Sequence, residues 1–159
     1  MYLSLQDAPV SERVRAILLT NDNRILFIKR IKPNKPDPYW VAPGGGVEGE
    51  DDTLLDALER ELYEELGATC EVLDVGFELR HQKADKNLYE VFYICRLVDY
   101  DLTQRHGPEF DDPARGKYIP DAIELCYESI RALNIKTPEL QRWLLKNLYK
   151  LREFTRDYV

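Results

Sequence analysis

The spacing of apolar and polar residues in the first part of the chain predicts a β-hairpin. Residues 14–20 and 24–30 are rich in aliphatic side chains, and the run Asn21-Asp22-Asn23 between them is typical of a tight turn. Residues 31–38 contain three prolines and two lysines. We expect them to form a stiff, basic loop that borders the glycine turn after Tyr39-Trp40.

An amphipathic helix is predicted next, because leucines recur at helical spacing. The members of this stripe are Leu55, Leu58, Leu62 and Leu66. Asp51 or Asp52 can cap the start of the helix, and Gly67 suits the left-handed residue just past its end. Three glycines at 44–46 precede it. Their free backbone predicts a turn that can approach a ligand closely.

The pattern after this helix predicts more strands around turns. Residues 71–82 and 88–98 are extended segments on either side of a turn at 83–87, so they form a second hairpin. Residues 99–119 show little periodicity and predict a long loop with a possible functional role. Residues 121–129 have the composition of a further strand.

The chain ends in a second predicted helix. Thr137-Pro138 combines a cap residue with a proline that suits the first helical position. The buried stripe of this helix is Leu140, Leu144, Leu148 and Leu151. Strands that flank one helix, with a second helix at the end, predict an α+β fold. With 159 residues, no internal repeat and no linker, the whole of 1–159 is expected to form one domain.

Charge is concentrated in one segment. Nine carboxylates and a single base, Arg60, lie between Glu48 and Glu65, and the net charge of the chain is −7. The acidic balance and the lack of a basic stripe argue against a nucleic-acid-binding protein. Residues 1–15 lack a leader pattern and no apolar run is long enough to cross a membrane, so we expect a cytoplasmic protein without a membrane partner.

The position of the carboxylates on the predicted helix suggests a metal site. At 100° per residue, Glu61 and Glu65 lie together beside the leucine stripe, with Glu64 one step further round. Glu61 and Glu65 are like charges four residues apart, and Glu64 and Glu65 lie at the helix end that favours cations. Each of these two effects destabilises an isolated helix by roughly 0.2–1 kcal/mol. A divalent cation would remove the conflict, and hard oxygen ligands suit Mg²⁺ or Mn²⁺. The alternative is a solvated acidic face, which neither the glycine turn nor the border with the apolar stripe favours.

These residues resemble the signature of the Nudix family. In that pattern a glycine, five residues, a glutamate and seven residues lead into Arg-Glu-aliphatic-x-Glu-Glu-x-Gly-aliphatic. Residues 46–68 follow it from Gly46 through Arg60 to Ala68, with Asp52 in place of the usual glutamate. Counting from Gly45 instead makes the run to Arg60 one residue too long.

The resemblance implies an α/β/α sandwich with a mixed central sheet and helices on both faces. It also implies metal-assisted hydrolysis of a nucleoside diphosphate linked to another moiety. Glu61, Glu64 and Glu65 would bind Mg²⁺ or Mn²⁺, and a glycine carbonyl would add a ligand. The residues implied as catalytic are Glu64, Arg60 and Asp52.

Other residues are candidates for holding the nucleotide substrate. The basic Lys29 and Arg30, with Gly45 and Gly46 of the turn, are the expected contacts for a polyphosphate. The resemblance also allows a loop carboxylate that acts on the water, for which Glu109, Asp111 and Asp112 are equally open. It allows a homodimer as well. The alternative to an enzyme is a catalytically silent nucleotide-binding regulatory module on the same fold.

Overall fold

The computed structural model describes residues 10–83 and 85–156, and in them a seven-stranded mixed sheet lies between two layers of helices. The strands are β1 (Val10–Leu19), β2 (Arg24–Lys32), β3 (Lys35–Val41), β4 (Gly44–Gly46), β5 (Ala68–Lys83), β6 (Lys86–Tyr100) and β7 (Lys117–Glu124). The helices are α1 (Leu54–Leu66), α2 (Pro108–Asp111), α3 (Tyr127–Arg131), α4 (Pro138–Lys146) and α5 (Leu148–Arg156).

The sheet has the order β3-β2-β1-β6-β5, with β4 paired to β1 and β7 paired to β2. Strands β1 and β6 run parallel, and the other pairs are antiparallel. Both predicted hairpins, β1–β2 and β5–β6, are confirmed. Strand β1 is central, so it presents buried residues to both faces of the sheet.

Two apolar clusters hold the helical layers on the sheet. The stripe of α1 packs with Val14, Ala16 and Leu18 on one face, although its first member, Leu55, is exposed. The leucine stripe of α4 and α5 packs with Ile17 and Leu19 on the other. The predicted α+β fold and its α/β/α layering are therefore confirmed. Among the described residues no helix is both long and apolar enough to cross a membrane.

Several predicted boundaries were wrong. The α1 cap is Thr53, whose hydroxyl accepts a hydrogen bond from the Asp56 N–H at 3.1 Å, and not Asp51 or Asp52. The predicted terminal helix is two helices, because the chain leaves helical geometry at Asn147. The leader pattern sought in residues 1–15 falls largely on residues outside the described ranges.

Two segments of the sheet also differ from the prediction. Residues 31–38 are not a loop, since most of them extend β2 and form β3. Prolines are tolerated there because β3 is an edge strand. The strand expected at 121–129 starts earlier, as β7, and gives way to the short helix α3.

Candidate metal-binding and catalytic site

The short glycine strand β4 brings backbone directly against helix α1. It pairs with β1 in the register Arg13↔Gly46 and Arg15↔Gly44. Gly44 has φ +144°, and a Cβ there would lie 2.0 Å from the carbonyl oxygen of Val14, so only glycine fits. A Cβ on Gly45 would lie 2.6 Å from the carboxyl group of Glu61. The strand therefore leaves no room for a side chain between itself and this carboxylate.

Arg60 ties the acidic residues of the segment to the glycine strand. Its Nε donates to Asp51 Oδ1 at 3.0 Å, and its Nη2 donates to Asp51 Oδ2 at 2.9 Å. Nη2 also donates to the carbonyl of Gly46 at 3.0 Å. Nη1 donates to Glu61 at 3.1 Å and to Glu64 at 3.2 Å. Arg60 thus fixes the orientation of both glutamates relative to the turn.

Glu65 is half-buried at the end of α1, against the glycine strand. Desolvation raises its pKa to about 8, against the lowering effect of Arg15 and of a hydrogen bond from the Gly44 N–H at 3.3 Å. Desolvation also raises the pKa of Glu61, whose side chain is 13% exposed. The raised pKa favours the protonated Glu65 carboxyl in the metal-free protein, and a bound cation would compete with that proton.

A loop supplies the cation that the C-terminal end of α1 lacks. The last turn of this helix contains no basic residue, but Arg105 Nε donates to the carbonyl of Glu65 at 2.7 Å. The backbone N–H of His106 donates to the carbonyl of Glu64 at 2.9 Å. Gly67 closes the helix in the left-handed conformation, with φ +58°. The end that carries Glu64 and Glu65 is thereby held in place.

The donor chemistry of the cluster fits a hard divalent cation. Its carboxylates come from Glu61, Glu64 and Glu65, two of them lie against the glycine strand, and desolvation disfavours the charged form of Glu65. In the described ranges no three carboxylate, histidine or cysteine side chains are already arranged as a metal-binding group. The fit therefore rests on donor type, burial and the approach of the glycine strand.

Comparison with known proteins decides the family. The NUDIX domain family model matches residues 10–120. This chain belongs to the Nudix family. An RNA pyrophosphohydrolase of Ruthia magnifica subsp. Calyptogena magnifica is 30% identical, and the match covers 72% of this chain and 75% of the relative. Family membership and this relative make the protein a Nudix-type hydrolase that acts on phosphorus anhydrides.

Solved structures share the Nudix fold at lower identity. The MutT protein from Methanosarcina mazei Go1 has a TM-score of 0.64 at 17% identity, covering 92% of this chain and 98% of that one. An ADP-ribose pyrophosphatase from Streptococcus suis 89-1591 has a TM-score of 0.55 at 20% identity, covering 86% of this chain and 90% of that one. These likenesses support the fold alone.

Asp51, and not Asp52, is the aspartate that binds Arg60. Asp51 is 5% exposed, and Arg60 lowers the pKa of its carboxyl through two hydrogen bonds. Asp52 is exposed, and the structure does not bring it into the cluster. Counting from Gly45 puts Asp51 at the sixth position, so the extra residue falls between Asp51 and Arg60.

We expect Asp51→Asn to lower kcat/KM about 10- to 100-fold, because the amide replaces one of the two oxygens that orient Arg60. The matched control is Asp52→Asn, which removes the same charge from the neighbouring side chain, and that side chain is exposed. Steady-state hydrolysis checks the pair. Equal losses in the two variants would show that Asp51 has no special role.

Lys29 and Arg30, which were expected to hold the substrate, both have partners within the protein. Arg30 is 8% exposed, and it donates to the carbonyls of Lys117 at 2.9 Å and Arg115 at 2.8 Å. Its guanidinium also lies 3.5 Å from the centre of the Tyr118 ring. Lys29 lies over the ring of Trp40, 5.6 Å from its centre. Arg30 therefore anchors the loop before β7, which sequence reasoning did not predict.

Of the three acidic residues left open in the 99–119 segment, Glu109 is the one whose charge acts on Glu65. It is half-buried in α2, and its charge raises the pKa of Glu65. Asp111 and Asp112 are exposed. Asp112 accepts a hydrogen bond from the Ala114 N–H at 3.0 Å, so it caps a local turn.

Three charged residues that sequence reasoning missed lie across the glycine strand from this cluster. Arg15 Nε donates to Glu90 at 3.0 Å, and Arg13 Nε lies 3.9 Å from the same carboxylate. They line a cavity of about 470 Å³ on the α4 face of the sheet. Arg13 and Arg15 alternate with buried Val14 along β1, and that spacing could have indicated two arginines on one strand face.

Proposed function

We propose that this protein is a pyrophosphohydrolase that depends on Mg²⁺ or Mn²⁺. Its substrate would be a nucleoside diphosphate linked to another moiety: a nucleotide sugar, a dinucleoside polyphosphate or a modified nucleoside triphosphate. The observation that carries the proposal is the desolvated Glu65 carboxyl, which lies beside Glu61 and accepts a hydrogen bond from the Gly44 N–H. The name of the Ruthia magnifica relative, RNA pyrophosphohydrolase, supports the same reaction class.

In this proposal Glu61, Glu64 and Glu65 hold the metal ion. A divalent ion there would neutralise charge on the diphosphate and lower the pKa of a bound water molecule. Arg60 keeps Glu61 and Glu64 oriented, since one of its nitrogens donates to both. Gly45 and Gly46 allow the substrate to approach the backbone, because neither position carries a side chain. We assign to Asp51 the catalytic role that the sequence pattern implied for Asp52, because Asp51 accepts two hydrogen bonds from Arg60.

Glu109 is the carboxylate we propose as the base that takes a proton from the attacking water. Its charge acts on Glu65, and its loop is tethered to α1 through Arg105. We expect Glu109→Gln to lower kcat about 10²-fold or more, within the range typical of general bases. Asp111→Asn is the control, because it removes an exposed carboxylate two positions along the same loop. If kcat of Glu109→Gln stays at the wild-type level, Glu109 is not the base.

The silent regulatory module is the weaker candidate. Its support in the sequence was the aspartate at position 52, where the family pattern has glutamate. Asp51 binds Arg60 through both carboxylate oxygens, so the departure at Asp52 leaves the arginine partnered. This contact favours an active enzyme.

The test of the proposed function is a screen of nucleoside diphosphate derivatives with Mg²⁺, read by phosphate release after coupling to a phosphatase. We expect at least one class to be hydrolysed, and chelation of the metal to abolish the reaction. Binding of these nucleotides without turnover would favour the regulatory module instead. Size-exclusion chromatography with light scattering in the same buffer tests whether the protein is a monomer or a homodimer.

A further inference from the structure

The cavity on the α4 face contains an arginine that is not fully neutralised. Glu90 is the acidic partner of both Arg13 and Arg15, and its side chain is 8% exposed. Arg15 takes the closer contact, at 3.0 Å, and its Nη1 also donates to the carbonyls of Ala42 and Gly44. Arg13 stays 3.9 Å from Glu90 and is 40% exposed. Arg15 is therefore held in place, whereas Arg13 has donors to offer to a ligand.

The surroundings of Arg13 favour an anionic ligand. His81, Lys86 and Lys136 also line the cavity, against the two acids Asp85 and Glu90. The single aromatic residue in the lining, Phe92, already stacks on Phe77 at 4.4 Å between ring centres. The described lining thus offers more cationic donors than free aromatic faces, and an arginine fork suits a phosphate group.

The pairing of β1 with the glycine strand brings the cavity next to the proposed metal site. Arg13 pairs with Gly46 and Arg15 with Gly44, while the next glycine, Gly45, lies against Glu61. The charges of Glu61 and Glu65 both act on Arg13. A phosphate chain lying across the glycine strand can therefore have one phosphate at the carboxylates and another at Arg13.

We propose that Arg13 binds a phosphate group beyond the anhydride that is cleaved, so that the enzyme prefers substrates that carry such a phosphate. These are nucleoside triphosphates and dinucleoside polyphosphates, as opposed to nucleotide sugars with an uncharged second moiety. In this proposal Arg13 is a specificity-determining residue. Glu90 is a positioning residue, because it forms its closer ion pair with Arg15 and leaves the donors of Arg13 for the ligand. This inference rests on the proposed hydrolase function and narrows its substrate class.

The test compares substrates that share one adenosine diphosphate unit, so that contacts to the base cancel. ATP and diadenosine tetraphosphate carry the further phosphate, and ADP-ribose and ADP-glucose do not. For Arg13→Gln we expect kcat/KM to fall about tenfold or more on the first pair and less than about twofold on the second. Arg13→Lys should recover part of the loss, because the charge remains.

A second experiment measures phosphate binding at the site without catalysis. Calorimetric titration with inorganic tripolyphosphate, in buffer without divalent metal, should show binding that Arg13→Gln weakens about tenfold. The matched control is Arg24→Gln, since Arg24 is 42% exposed and also pairs with an acid, at the other end of the β1–β2 hairpin. Arg24→Gln should bind tripolyphosphate as tightly as the wild type does. Its kcat/KM on both pairs of substrates should also match the wild type.

The outcomes separate this inference from the proposed function. If the wild-type protein hydrolyses diphosphates but Arg13→Gln affects both substrate classes equally or neither, the phosphate site is overturned and the hydrolase stands. If wild type prefers ADP-ribose or ADP-glucose, the inference is likewise overturned. If no diphosphate is hydrolysed but tripolyphosphate binding depends on Arg13, the proposed function fails and the phosphate site stands.

Discussion

Replacing Glu65 with glutamine is expected to leave the fold intact and to lower activity about 10²-fold or more. Burial raises the pKa of this carboxyl to about 8, so it is largely protonated at neutral pH in the metal-free protein. Glutamine resembles the protonated acid in shape and charge and can still accept the hydrogen bond from the Gly44 N–H. It cannot supply the negative charge that holds a cation.

Two readouts check this variant. Its metal-free melting temperature should equal or slightly exceed that of the wild type, and the increase that saturating Mg²⁺ gives the wild type should disappear. Glu59→Gln is the control, because Glu59 is an exposed carboxylate on the same helix. An active Glu65→Gln enzyme that is still stabilised by Mg²⁺ would remove Glu65 from the metal site.

The second large effect is expected from Gly45→Ala. The added methyl carbon would lie 2.6 Å from the carboxyl group of Glu61, so the flexible side chain must move away from the glycine strand. We expect kcat/KM to fall about 10- to 100-fold, as for other changes that misplace a metal ligand. Stability should change little, because a side chain and not backbone yields.

Gly49→Ala serves as the matched control for this substitution. A Cβ at Gly49 meets nothing within 4 Å, so the same chemical change falls on open space a few residues away. Circular dichroism and steady-state kinetics on the two proteins separate local displacement from unfolding. Full activity in Gly45→Ala would mean that the position of Glu61 against the strand is irrelevant to function.

Local signals in the sequence were enough to predict helix α1 and its place in the fold. The buried leucines of α1 recur at helical spacing and Gly67 ends the helix, and the structure has both features. The two hairpins followed from strand-like apolar runs on either side of turn residues. The leucines of α4 and α5 were predicted to be buried, and they are. These elements depend on near neighbours in the chain.

Contacts between distant residues could not be predicted in the same way. The parallel pairing of β1 with β6 sets Arg13 beside Glu90, and no local pattern contains that pairing. Arg30 ends the predicted strand 24–30 and is basic, so it was expected at the substrate; in the structure it lies within β2 and donates to the carbonyls of Arg115 and Lys117. Its role depends on how β7 lies against β2.

The choice between Asp51 and Asp52 shows the limit of matching a pattern by spacing. Both residues are aspartates at the start of one helix, and counting from Gly46 selects Asp52. The structure gives the hydrogen bonds to Arg60 to Asp51 instead. Which of the two aspartates faces Arg60 depends on the backbone geometry between the glycines and Thr53, and residue spacing does not contain that geometry.

The central claim is that Glu61 and Glu65 hold a divalent ion against the glycine strand. Titration with Mn²⁺, followed by loss of the electron paramagnetic resonance signal of the free ion, tests it most directly. We predict that the wild-type protein takes up Mn²⁺, that Mg²⁺ displaces it, and that Glu65→Gln binds it at least about tenfold more weakly. Failure of the wild type to take up Mn²⁺, or equal uptake by Glu65→Gln, would contradict the claim.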